Sequence, residues 1–142
     1  MASAFGYQVI GVSKDSVKSH EKFFSIKTKL AKEGGFPINI LTDSMEPVIR
    51  PGENVDVKLS DLDSLNVFDI VIYWDEGLKI LVCHYFVGFT KVINKKRKYL
   101  VCKGIKSKNK DFIISPDCFL GVVDKKLPFL TRVREVVKHR RL

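Results

Sequence analysis

No run in the 142 residues approaches eighteen consecutive apolar side chains, so nothing in the sequence reads as a membrane-spanning helix. The first sixteen residues, MASAFGYQVIGVSKDS, hold neither a positive leading region nor a long apolar segment, and no secretory signal is read there. Cysteine is scarce and odd in number: Cys83, Cys102 and Cys118, with no Cys-x-x-Cys pair. That pattern speaks against a disulfide framework or a zinc site and for reduced thiols in a cytoplasm, with all three as small buried hydrophobes. Internal repeats and low-complexity linkers are missing as well. Acidic residues number 16 against 25 Lys and Arg, a net charge of +9. Such an excess suits an anionic partner such as nucleic acid, an acidic peptide or lipid headgroups. No helix-turn-helix, zinc-finger or RNA-binding signature accompanies it, which argues against nucleic acid.

What the chain does have is a core: 45% hydrophobic and 11% aromatic residues are neither disordered nor fibrous in composition. Residues 1–142 are read most simply as one domain. Residues 1–35 form an arm and a helix: Phe23, Ile26 and Leu30 recur at helical spacing, Asp15 or Ser16 can cap, and Gly34-Gly35 ends the run. Residues 36–126 read as a β core. Short strands are expected at residues 36–41, 55–59, 67–74, 79–90, 112–114 and 119–123. Asp75-Glu76-Gly77 and the basic run around Asn94–Arg97 supply hairpin turns. In the tail, 127–142, Phe129, Val133, Val136 and Val137 fall on one side of a basic helix. The predicted architecture is mainly β (α+β), antiparallel, with one helix in front and a short one behind.

The stretch LTDSMEPVIRPGENVDVK, residues 41–58, places Ser44 on irregular backbone just before a Pro-Gly turn and a strand of alternating polarity. Reactive side chains are often held on such loops, but a serine needs a base to take its proton. His20 lies among lysines of the first helix and His139 in the basic tail. His84 lies inside the strand Leu81-Val82-Cys83-His84-Tyr85-Phe86, where alternation sets His84 with Val82 and Phe86 and puts Cys83 and Tyr85 on the other face. A histidine in that setting can equally be a satisfied structural side chain.

The ordered set Ser44-Met45-Glu46-Pro47, Arg50-Pro51-Gly52-Glu53, Asp69-Ile70-Val71, His84, Lys103-Gly104 and Gly121-Val122-Val123 resembles the type I signal peptidase and LexA-like superfamily, over about residues 41–123. A lysine is the base in the bacterial signal peptidases and LexA-like proteins, and a histidine takes its place in the endoplasmic-reticulum type. His84 matches the histidine variety. The resemblance implies a signal-peptidase-like antiparallel β domain and a Ser44/His84 dyad that cleaves a peptide bond in a leader, a propeptide or the chain itself. It implies a substrate bound in extended conformation, an oxyanion hole from the Ser44 N–H with Thr42 as second donor, and no metal or cofactor.

The chain departs from that pattern at Phe68, where the family has glycine, at Tyr85, where arginine often follows the histidine, and at Ile105. An aspartate that supports the histidine is usual at the Ile105 position. Asp111 can substitute if the loop is longer. A competing reading follows from this: a catalytically degenerate peptide-binding or assembly module on the same fold. A self-cleaving regulator would need a DNA-binding unit, and the residues before Phe36 read as one helix. With no spanning helix, a peptidase of this kind would be cytoplasmic, reaching a membrane only peripherally through the basic tail. The same tail pattern also serves a helix packed on its own domain.

Overall fold

A computed structural model describes residues 7–8, 16–111 and 113–140. The elements run β1 (Tyr7–Gln8), α1 (Ser16–Glu33), β2 (Gly35–Asn39), β3 (Asn54–Lys58), β4 (Asp69–Asp75), β5 (Ile80–Thr90), β6 (Tyr99–Lys103), β7 (Phe119–Lys126) and α2 (Phe129–Arg140). Seven strands form one sheet in the order β1-β2-β3-β7-β4-β5-β6. β1 runs parallel to β2, and the other neighbours are antiparallel. The protein is thus α+β with the sheet dominant, a helix before it and a helix after it. No helix among the described residues is long and apolar enough to cross a membrane.

The local chemistry of each element accounts for its place. α1 buries Phe23, Ile26 and Leu30. It ends where Gly34 takes φ 80°, with the Gly34 N–H donating to the Leu30 carbonyl at 2.7 Å. Phe23 stacks on Trp74 of β4 with ring centroids 5.5 Å apart, which lays α1 on the sheet. β3 shows strict alternation, with only Val55 and Val57 buried, as a strand with one wet face should. β4 is buried from Ile70 to Trp74, in keeping with its central position. β7 crosses β3 at Gly121, where an added Cβ would stand 2.4 Å from the Lys58 carbonyl oxygen, so only glycine fits.

One expectation changes. Of the strand expected at 112–114, Phe112 lies outside the described residues, and only Ile114 is bridged, to Leu100. Pro116, with no N–H to donate, opens a 3-10 turn at Pro116–Cys118 that carries the chain away from β6. Of the arm expected ahead of α1, Tyr7–Gln8 is described and forms β1, and the rest lies outside the described residues, as do Asp15, Arg141 and Leu142. Phe68 has φ 78°, a conformation that glycine adopts freely and a bulky residue only under strain. Its ring, 5.5 Å from that of Tyr85, gives packing in return. Cys83, Cys102 and Cys118 are free thiols and buried.

Candidate active site

Ser44 is carried on a tight turn between β2 and β3. Met45 and Ile49, both buried, pin the turn to the core, and the Glu46, Val48 and Ile49 N–H groups close it onto Asp43 and Met45. At its base, Ile40 donates to the Glu53 carbonyl at 2.8 Å, and Gly52, at φ 88°, donates to the Ile40 carbonyl at 2.6 Å. A second loop clamps it from the far side: the Lys106 N–H donates to the Ser44 carbonyl at 2.9 Å. The Lys106 ammonium lies 3.2 Å from Asp43 and 3.3 Å from Glu46, and those two hydrogen bonds raise its pKa.

His84 stands on β5 opposite Val71 of β4, nearly buried at 9% exposure. Its Nε2 is 3.2 Å from Ser44 Oγ. Its Nδ1 is in close contact with Asp111 Oδ2. Asp111 reaches that position because its own N–H donates to the Cys102 carbonyl at 2.8 Å, and Ile114 is bridged to Leu100, so both lie against the outer edge of β6. The loop from Gly104 to Lys110 is therefore long enough to return a carboxylate to the imidazole. Ile105, at the position where the resemblance calls for aspartate, is buried and apolar.

Two further groups support the pair. The Tyr73 hydroxyl donates to the same Asp111 oxygen at 2.7 Å. Burial, reinforced by the Asp111 charge and that hydrogen bond, pushes the Tyr73 phenol far up, so it remains a donor. Gly104 packs against the imidazole: an added Cβ would stand 2.9 Å from His84 Nε2 and 2.7 Å from Ser107 Oγ. A carboxylate accepting at Nδ1 favours the tautomer with the ring proton there, which leaves Nε2 to accept from the serine hydroxyl. A hydroxyl so placed can surrender its proton to the ring as it attacks an electrophile.

The three side chains open onto a groove of about 630 Å³. One wall is the β4–β5 hairpin, including Leu78, Ile80 and Val82, and the other includes Ile113 and Ile114. Thr42 is exposed and lines the same groove as Ser44. The remaining histidines are elsewhere. His139 lies on α2, 3.0 Å from the Tyr85 hydroxyl, and His20 lies on α1.

Sequence reasoning had no signal for Tyr73, one aromatic in an apolar strand, as a partner of Asp111. It had none for the contact of Gly104 with His84. The described residues contain no cluster of three or more His, Cys, Asp or Glu side chains arranged to hold a metal ion. Compared with known proteins, the chain matches no family model and no curated sequence.

Proposed function

We propose that the protein is a serine endopeptidase of the signal-peptidase-like kind, cleaving a leader, a propeptide or itself. The observation that carries the reading is the continuous line Ser44 Oγ, His84 Nε2, His84 Nδ1, Asp111 Oδ2 at the floor of an open groove. Three residues distant in sequence, on three separate elements, meet in the order that acyl transfer uses. His84 accepts the Ser44 proton while Oγ attacks the scissile carbonyl. The tetrahedral intermediate collapses as the protonated ring gives its proton to the leaving amine, and water then releases the acyl group by the same route. Asp111 holds the imidazole in the required tautomer, and Tyr73 holds Asp111. The Ser44 N–H and the Thr42 hydroxyl are the proposed oxyanion donors.

The groove walls fit a peptide lying extended beside the β4–β5 hairpin, with apolar side chains toward Ile80, Ile113 and Ile114. Free buried thiols fit a reducing compartment, in line with a cytoplasmic location. The alternative, a peptide-binding module without catalysis, leans on Ile105 and Tyr85; the contact of Asp111 with His84 supports the peptidase reading over it.

The test is cleavage of a peptide library, with self-cleavage followed in parallel, by the wild type and by Ser44→Ala and His84→Ala. Each variant should lose about 10³-fold or more in kcat/KM. Equal cleavage by all three proteins would mean a contaminating protease. Tight peptide binding by all three without cleavage would favour the binding module.

A further inference from the structure

α2 is amphipathic in the reverse of the usual sense. A helix lying on its own domain turns its apolar stripe inward. Here the inward positions, four residues apart, are Thr131, Glu135 and His139, with Glu135 fully buried and Thr131 8% exposed. Glu135 Oε1 accepts from the Tyr85 hydroxyl at 2.6 Å and from the Lys103 ammonium at 2.9 Å, and Lys138 lies 3.0 Å from Oε2. The helix is thus fixed to the sheet by polar contacts. Its apolar side chains face solvent: Phe129 is 67% exposed, Leu130 73%, Val133 44%, Val136 38% and Val137 45%. At 3.6 residues per turn these five occupy an arc of about 120°.

The borders of that arc are basic. Arg132 lies along one side, its guanidinium 5.8 Å from the centre of the Phe129 ring. Arg134 and Lys138 lie along the other side and are exposed. Beyond them a basin between α2 and the loop after Gly104 adds the exposed Lys108, whereas Lys106 in the same basin is already paired with Asp43 and Glu46. We propose that this face of α2 is the docking surface for an anionic lipid bilayer, on which the helix lies flat. Its five apolar side chains would enter the headgroup boundary, and Arg132, Arg134, Lys138 and the basin would meet the lipid phosphates. The charge pattern selects this occupant. A second copy of the chain would set Arg132, Arg134 and Lys138 against their own counterparts, on molecules of net charge +9. An anionic bilayer satisfies the apolar arc and both basic borders together. The inference does not depend on the peptidase reading.

Co-sedimentation of the full chain with vesicles tests it, comparing pure phosphatidylcholine with phosphatidylcholine containing phosphatidylserine. The expected result is binding to the serine-containing vesicles, weakened by salt, and little binding to phosphatidylcholine alone. The variant Leu130→Gln/Val133→Gln/Val137→Gln changes only exposed positions. It should keep the wild-type circular dichroism and melting temperature and bind at least about tenfold more weakly. Three results would overturn the proposal. The first is no binding by the wild type. The second is undiminished binding by the folded triple variant, which would assign attachment to diffuse charge. The third is a solution dimer that the triple variant abolishes, which would assign the face to a second copy. Ser44→Ala should bind vesicles as the wild type does whether or not the protein is a peptidase.

Discussion

At the scale of single residues, the site is narrow enough to be probed atom by atom. Asp111→Asn keeps the shape but invites the wrong imidazole tautomer, and we expect a fall of about 10²–10⁴-fold in kcat with little change in KM. Tyr73→Phe removes one hydrogen bond to Asp111 and leaves the ring in place. It should lower kcat modestly and cost about 0.5–1.5 kcal/mol in urea unfolding. Gly104→Ala is the sharper test. Its methyl would press on His84 Nε2 from 2.9 Å, so activity should drop on the order of 10²-fold while the fold survives. Unchanged activity there would show that the imidazole needs no such support. Phe68→Gly relieves a positive φ worth about 1–2 kcal/mol but forfeits the ring packed on Tyr85. Ser44 and His84 were legible as a pair only through the resemblance of the ordered motifs, since periodicity left His84 equally a structural side chain. Their supports were not, because a glycine beside an imidazole and a tyrosine beside a carboxylate leave no periodic trace in a sequence.

At the scale of elements, β5 and β6 reach two places in the fold through their pleat. Neighbouring residues face opposite ways, so His84 and Gly104 serve the site while Tyr85 and Lys103 serve α2. Burial tends to raise the Glu135 carboxyl, but its hydrogen bonds from Tyr85, Lys103 and Lys138 more than offset this and hold it below its ordinary value. A depressed carboxyl contributes stability above its unfolded pKa, and that stability is lost as pH falls through the folded value. His139 is also depressed, by burial first and by Lys110 and Lys103 next. The unfolded chain therefore takes up that proton first as pH falls below about 6.5. Both effects have the same sign: α2 should hold best at neutral pH and loosen on acidification. Chemical unfolding at pH 7, 5.5 and 4 should show a steady decline, with the decline below about pH 4.5 reduced in Glu135→Gln. Removing one member of the buried pair, as in Lys103→Met, should cost about 3–5 kcal/mol by stranding Glu135. The helix itself was readable from Phe129, Val133, Val136 and Val137. Which side of it would meet the sheet was not, since the partner that reverses it, Lys103, lies far away in sequence.

At the scale of the whole molecule, the three thiols report on global unfolding. Burial pushes Cys83 up to about 12 and raises Cys102 well above the usual thiol range. Cys118 is likewise pushed up to about 12, by burial first and then by Glu76. A thiol reagent at pH 8 should find all three unreactive in the native protein and all three reactive in denaturant. Fast native labelling would contradict the packing of β5, β6 and the turn before β7. Composition and periodicity by themselves determined that the chain folds around a β core, where most of its strands fall within a few residues, and that α1 buries Phe23, Ile26 and Leu30. Those features are local, because the pleat repeats every two residues and the helix every 3.6. The return of Asp111 to His84 and the outward turn of α2's apolar side were decided only in three dimensions. Each depends on contacts between residues well separated in sequence, Asp111 with His84 and Glu135 with Tyr85 and Lys103, and such contacts leave no repeat in the sequence to be read.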